Sequence, residues 1–325
     1  MRVLARVWRT LAAFGRFLRR DKKAMAGAII IGVLALISAF PSWFVIHDPS
    51  AEVYTPGVGL SWSHPLGTTS FGQDVFSQLM AGTRESFLIA ILVGAFTTII
   101  SVVIGLTAAY VGGFVDDGLS LLTDVVLVIP TFPLIIVITA YLKSATFWMM
   151  IFVLTFTGWS YGARQLRVQA LSLRNRDYLL AARARGESAP YVVFVELLPP
   201  MTSLIVANFL SSALFAVLAS AGLQFVGLGN INDQSWGTML YWAQNNEALA
   251  TGLPLWALMP GVAIAVLGTG FALLNYAFDE VANPALRPVR AAKRKGPATL
   301  APALATRPAA GLAGPVAAVA PVEAP

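Results

Sequence analysis

The 325-residue chain has no cysteine, only two histidines and few charged residues. The absence of cysteine excludes disulfides and thiolate metal sites. His47 and His64 are well separated in sequence and form no recognisable ligand cluster. Charged residues make up 12% of the chain and hydrophobic residues 57%, whereas about a quarter of a soluble domain is charged. We therefore expect a membrane protein, because a chain this apolar would expose too much hydrophobic surface in water.

The motifs of nucleotide binding and of catalysis are also missing. No G-x-x-x-x-G-K-[ST] sequence occurs, so the chain is not expected to cradle ATP phosphates itself. There is no nucleophile–base constellation and no metal cluster, so we predict no catalytic residue, bound cofactor or metal. Gly227-Leu228-Gly229 lacks the rest of a dinucleotide fingerprint and is interpreted as a loop turn. The pI near 9.8 does not indicate nucleic acid, because the basic residues lie in segments that flank the long apolar runs.

Apolar runs long enough to span a bilayer occur six times. We predict spans at 24–46, 86–110, 119–142, 145–163, 201–222 and 255–278. Twenty of the twenty-two Lys and Arg residues lie in 1–23, in 164–200 and after 278. Since cytoplasmic loops are enriched in Lys and Arg, both termini are predicted to be cytoplasmic. The first span is read as a retained anchor, because it is long for a signal peptide and no A-x-A site follows.

The segments between and beyond the spans differ in composition. Residues 1–23 fit a basic amphipathic helix lying on anionic lipid, or a plain topology-setting tail. Residues 47–85 form an external segment rich in Pro, Gly and Ser. Residues 86–283 contain the five remaining spans, and 284–325 are basic and then Ala/Pro-rich, which predicts a disordered cytoplasmic tail.

The hydrophilic insertion at 164–200 predicts two short helices joined by a sharp turn. Asn175 is suited to cap the first helix, and Asp177 in its first turn complements the helix dipole. Gly186 is a natural left-handed stop, and Ser188 can cap the second helix. That helix is expected to run through 191–198 until Pro199-Pro200 resets the chain.

Two interpretations of this insertion are open, a docking knob for another protein and an ordinary surface loop. Docking is favoured because a purely connecting loop is usually shorter. Ala181 and Ala182 would allow close approach of a partner, with Arg183 and Arg185 supplying charge around them.

The order Ala181-Ala182, Gly186, Leu198-Pro199 resembles the EAA motif of ABC importer permeases. Leu180 and Glu196 depart from it, at the positions of the motif's Glu and Ile. The stretches FLRRDKKAMAGAII, HPLGTTSFGQDVFSQLMAGTRESF, GLQFVGLG, SWGTML and NPALRP are similar to the peptide/nickel branch of that family, and to its oligopeptide- or dipeptide-permease C-type subunits in particular. The likeness covers about residues 15–290.

The resemblance implies an all-α membrane protein with six transmembrane helices, the type I importer fold, in the inner membrane of a prokaryote. The expected partners are a homologous B-type permease, two ATPase subunits that bind ATP and Mg²⁺, an extracytoplasmic substrate-binding protein and membrane lipid. The resemblance also implies that 164–200, here named the coupling element, docks on an ATPase. The residues expected to make this contact are Asp177, Tyr178, Ala181, Ala182, Arg183, Arg185, Gly186 and Pro199. Trp236, Tyr241 and Trp242 are candidate contacts for the binding protein.

Within the spans, Asp124 is either a functional carboxylate or one that reaches the interface or a neighbouring helix. Pro130 and Pro133 predict a loosened helix, which would serve gating or simply packing. Peptides are the favoured substrate, with oligosaccharides or nickel as alternatives. A stand-alone secondary transporter would show midplane charges and internal repeats, neither of which is clear in the sequence. A membrane-bound enzyme lacks a catalytic constellation.

Overall fold

The structure, a computed structural model, describes residues 21–141 and 146–282. The predicted N-terminal amphipathic helix (1–23) lies outside these ranges except for its end, and the predicted tail (284–325) lies outside them entirely. Within the described residues the chain is helical, and pairing of extended segments is confined to one bridge between Thr68 and Asp74. The all-α fold class is therefore confirmed. The helices are α1 Lys22–Ala39, α2 Val75–Val111, α3 Gly113–Val128, α4 Thr131–Tyr141, α5 Phe147–Leu173, α6 Asp177–Ala184, α7 Ala189–Tyr191, α8 Thr202–Phe225, α9 Trp236–Asn245 and α10 Pro254–Ala282.

Four described helical segments are long and apolar enough to cross a membrane, namely Lys22–Ala39, Val75–Val111, Pro199–Phe225 and Pro254–Phe278. The pair α3 and α4 makes a fifth if the two are counted as one bent span. Helix α5 contains the predicted span 145–163 from Phe147 onward but is not in this group, because polar and charged residues follow its apolar first turns. The count of six spans and the orientation of the termini stay predictions.

Two helices have bounds that differ from those of the predicted spans. The first helix ends at Ala39, whereas the predicted span continues to 46, because a short 3₁₀ turn with proline in its first positions, Pro41–Trp43, follows it. Helix α2 begins at Val75 and not at 86, so the preceding non-helical segment ends at Asp74. The Asp74 side chain is fully buried and accepts a hydrogen bond from the Ser77 amide at 2.8 Å. His64 Nδ1 lies 3.0 Å from the other Asp74 oxygen, so this N-cap is held from both sides.

The predicted third span, 119–142, is not one helix. Helices α3 and α4 are bent by 83° at the break between them. Ile129 is extended there, with φ −72° and ψ 125°, as expected for a residue that precedes proline. Pro133 lies in the first turn of α4, where its missing N–H costs no helical hydrogen bond. Pro130 therefore breaks the helix, and Pro133 is accommodated within the new one.

Helix α2 is the central element of the described bundle. It contributes Val75 and Phe87 to one buried cluster, Val93 to a second and Leu106 to the third. Its partners come close because small residues face them. A Cβ placed on Gly105 would lie only 2.6 Å from the Ala163 carbonyl oxygen of α5. Small residues that bring helix backbones together are the usual packing device in membranes.

The α1–α10 contact gives a direct test of this packing. A Cβ at Gly27 would lie 2.8 Å from the Gly270 carbonyl oxygen, whereas a Cβ at Gly32 on the same helix meets nothing within 4 Å. We expect Gly27→Leu to destabilise the protein by about 1–3 kcal/mol through overpacking and Gly32→Leu to be nearly neutral. Detergent-solubilised yield and the apparent melting temperature measure this. Equal losses in both variants would contradict the packing of α1 against α10.

Candidate functional site

The turn after α6 has the geometry of a Schellman cap. Gly186 has φ +77°, in the left-handed region. Its amide donates to the Arg183 carbonyl at 2.9 Å, and the Glu187 amide donates to the Ala182 carbonyl at 3.3 Å. These are the two bonds of that motif, which favours glycine because a side chain is strained at this φ. The predicted left-handed stop at Gly186 is confirmed.

The start of α6 differs by one residue from the prediction. Arg176 and not Asn175 is the N-cap, and its side chain makes no capping bond. Asp177 lies in the first turn as expected, where its carboxylate faces the positive end of the helix. Ser188 is the N-cap of α7, with Pro190 in the first turn, but it also makes no side-chain cap. The charge of Asp177 is thus the described feature that favours the start of α6.

After Ser188 the chain does not form one regular helix. The α-helical turn Ala189–Tyr191 continues as the π-helical Val192–Leu197 and the 3₁₀ turn Pro199–Met201. Leu198 before the two prolines and Thr202 after them both have α-helical backbone angles. The chain therefore enters α8 without an extended residue at either position. Pro199 is exposed at this junction.

The inner face of α6 is buried in the bundle. Leu179 and Ala182 are 1% and 0% exposed and belong to the cluster built around Leu106 of α2 and Leu166 of α5. The expectation that Ala182 allows a partner to approach is therefore wrong, because this methyl group already packs inside the chain. Ala181, one residue earlier, is exposed.

The outer face of the coupling element exposes apolar side chains. Tyr178 and Leu180 of α6 are 41% and 47% exposed. Three further residues from the following segment share this property: Tyr191, Phe194 and Val195. Apolar side chains that cluster at a surface mark interaction sites. The last three were missed from the sequence, which predicts one regular helix through 191–198 and does not show which of its apolar residues are exposed.

The two arginines of α6 have different environments. Arg183 is turned inward, and its guanidinium lies 4.9 Å from the centre of the Tyr110 ring at the end of α2, a cation–π contact. Arg185 is exposed and lies 3.8 Å from Glu187 and 3.9 Å from Glu196. Only Arg185 therefore supplies charge on the outer face as predicted, and Glu196 neutralises part of it.

Two more arginines connect the coupling element to the corner between α2 and α3. The chain turns there through Gly112 and Gly113, with φ +71° and +55°. Arg174 donates to the Ala109 carbonyl at 3.4 Å. Arg167 forms a bidentate pair with Asp116, at 2.6 and 2.8 Å, the strongest geometry for such a contact. Arg167, Arg174 and Arg183 are named here the arginine anchors.

The residues predicted for the pore are not brought to the coupling element's outer face. Asp124 lies 3.6 Å from Arg164, and both side chains are more than half exposed. Exposed pairs of this kind contribute little to stability. Pro130 and Pro133 lie at the α3–α4 bend. Asp124 thus reaches a neighbouring helix, α5, and its role in the pathway stays a prediction.

The three candidate contacts for the binding protein differ in how far they are buried. Trp236 is only 1% exposed, and its indole N–H donates to the Leu79 carbonyl at 3.1 Å. It is a core residue, so its assignment as a partner contact is wrong. Tyr241 and Trp242 are half-buried, and the Trp242 indole donates to the Ile231 carbonyl at 3.0 Å.

Comparison with known proteins identifies the family of the chain. Residues 101–283 match the family described as binding-protein-dependent transport system inner membrane component. The chain belongs to this family. Its members are membrane components of transport systems, so the chain is a permease subunit with several membrane-spanning helices.

Individual relatives cover most of the chain. An oligopeptide transport system permease protein OppC of Mycobacterium tuberculosis is 30% identical over 283 residues, which is 85% of this chain and 94% of that protein. The protein of the same name from Bacillus subtilis is 28% identical over 271 residues, covering 83% and 88%. A solved inward-facing MetNI methionine ABC transporter chain aligns with a TM-score of 0.49 and 19% identity, over 65% of this chain and 97% of that one.

The two alanines of α6 give a matched test of the two faces. We expect Ala182→Glu to prevent folding, because an unpaired carboxylate in the Leu106–Leu166 cluster costs on the order of several kcal/mol. Ala181→Glu places the same group in solvent and is expected to leave the folded yield unchanged. Size-exclusion profiles and melting temperatures of the two variants measure this. A normal Ala182→Glu protein would contradict the orientation of α6.

Proposed function

We propose that the chain is the transmembrane permease subunit of an ATP-driven importer, and that its coupling element docks on an ATPase subunit. The observation that supports this most is the two-faced α6. Leu179 and Ala182 fix the helix to the bundle, while Tyr178, Leu180 and Ala181 stay exposed. Gly186 then turns the chain, and Tyr191, Phe194 and Val195 beyond the turn are exposed as well.

ATP and Mg²⁺ belong to the partner in this proposal, because the sequence has no phosphate-cradling motif. A homologous second permease would complete the pathway, with two ATPases on the cytoplasmic side and a substrate-binding protein outside. The large apolar side chains exposed on α3, α4 and α5, such as Leu121, Phe132 and Phe152, supply surface for lipid and for the second permease.

The arginine anchors connect the coupling element, which carries the proposed docking surface, to the corner where α3 begins. Arg167 and Arg174 hold α5 to the corner at Gly112, and α3 begins at the next residue. Helix α3 leads directly to the bend at Ile129-Pro130. We infer that a displacement of α6 by the ATPase moves this corner as a packed unit and so changes the position of α3.

Peptides are the proposed substrates. Relatives that cover most of the chain are named as oligopeptide permeases, and the chain spans about nine-tenths of their length. The described spans contain few charged side chains, which suits a pathway that does not hold one kind of side chain tightly.

Ala181→Glu tests the docking step. In the purified complex reconstituted into liposomes, we expect substrate-stimulated ATPase activity and peptide uptake to fall at least tenfold, because a charge would enter the apolar contact. Ala181→Ser is the matched control and is expected to retain both activities. Normal uptake in folded Ala181→Glu would contradict docking through this face. Uptake by the chain without any ATPase would favour a secondary transporter.

A further inference from the structure

A cleft of about 340 Å³ lies between the segment that precedes α2 and the chain from Ile231 to Trp256. Its lining combines the carboxylates of Glu52 and Asp233 with the rings of Phe71, Trp242 and Trp256. We name it the acidic cleft. Neither the coupling element nor the arginine anchors contribute to it, so it is a separate site. The predicted orientation places it on the extracytoplasmic side.

The aromatic wall is well ordered by its own contacts. The Phe71 ring stands nearly perpendicular to both indoles, with centroids 5.9 Å from Trp242 and 6.4 Å from Trp256. Such arrangements are favourable between aromatic rings. The faces of indole rings attract cations, and Trp is the best of the aromatic side chains for this. The wall therefore suits a positively charged group.

The two carboxylates have amide neighbours and no counter-cation. Gln73 donates to Glu52 at 3.2 Å, and Asn230 donates to Asp233 at 2.6 Å. Among the described residues neither acid forms a salt bridge. Burial raises the pKa of the Asp233 carboxyl above its ordinary value, and the hydrogen bond from Asn230 opposes that shift. A bound cation would compensate for this desolvation.

A third feature points to an acceptor on the same ligand. Trp256 lines the cleft and is only 2% exposed. Its indole N–H has no hydrogen-bond partner in the described structure. A buried donor without a partner is unusual in a native protein. The nitrogen itself is covered in the structure, so a carbonyl oxygen brought in by a ligand would satisfy it once the indole turns toward the cleft.

Cation and carbonyl occur together at one end of a peptide. We propose that the acidic cleft binds the N-terminal residue of a peptide, with its ammonium group between the two carboxylates and the indole faces. The first peptide carbonyl then accepts the hydrogen bond of Trp256. This inference rests on the proposed function, because it presumes that peptides reach this side of the transporter.

Two properties of the cleft narrow the ligand further. Its volume is at the low end of the range for small-ligand pockets, about 300–1,000 Å³, so it holds one end of a peptide and not the whole. A divalent metal fits less well, because no group of three or more metal-ligating His, Cys, Asp or Glu side chains occurs among the described residues. The indole donor also has no role in metal binding.

Binding of two probes to the purified full chain in lipid nanodiscs tests the proposal. Trialanine has a free ammonium group, and N-acetyl-trialanine keeps the three alanine carbonyls but carries a neutral acetamide in place of the ammonium group. We expect trialanine to bind at least tenfold more tightly, measured by isothermal titration calorimetry without ATP or ATPase. Equal affinity for the two probes, or no binding of trialanine, would overturn the proposal.

Variants locate the binding within the cleft. Asp233→Asn and Trp256→Phe are expected to weaken trialanine binding at least tenfold, with an unchanged melting temperature in Asp233→Asn and a lowered one in Trp256→Phe, because Trp256 is buried in the core. Glu247→Gln is the matched control, an exposed acid that does not line the cleft. Equal affinity in all three variants would overturn the assignment, as would Ca²⁺ binding that is lost in Asp233→Asn without any peptide binding. Because no ATPase is present, failure here is distinct from failure of the docking step.

Discussion

The burial of one face of α6 against α2 and α5 is the constraint on which the rest of the account depends. An eight-residue helix is too short to be stable alone in water, so its existence rests on tertiary packing. Leu179 and Ala182 supply that packing, and the Schellman cap at Gly186 ends the helix at a fixed residue. Once the inner face is fixed, the outer face is fixed too, and Ala181 is the alanine of α6 that stays exposed beside the buried Ala182.

The charged contacts have unequal importance. The Asp116–Arg167 pair is bidentate and mostly shielded from solvent, whereas Asp124–Arg164 is long and exposed. The first therefore holds the α2–α3 corner to α5, and the second adds little. Arg183 also holds two elements together, because its contact with Tyr110 joins α6 to the end of α2. These contacts join α5 and α6 to the end of α2 and the start of α3.

The sequence predicted features that depend on local chemistry. The left-handed turn at Gly186 and the effect of Pro130 follow from backbone sterics, and both are found. Features that depend on tertiary contacts were missed. Nothing local distinguishes Ala181 from Ala182, and only the bundle shows which is buried. The early start of α2 was signalled by Asp74 and Ser77 at N-cap spacing, but the Pro- and Gly-rich stretch before it obscured that signal.

The most direct test of the docking claim uses the absence of native cysteine, so that one introduced thiol gives an unambiguous cross-link. Ala181→Cys and Ala182→Cys would each be treated, in native membranes, with a short thiol-to-amine cross-linker and analysed by mass spectrometry. The account predicts that Ala181→Cys joins to an ATPase subunit and that the buried Ala182→Cys does not. No ATPase adduct at position 181, or adducts of equal yield at both positions, would contradict it.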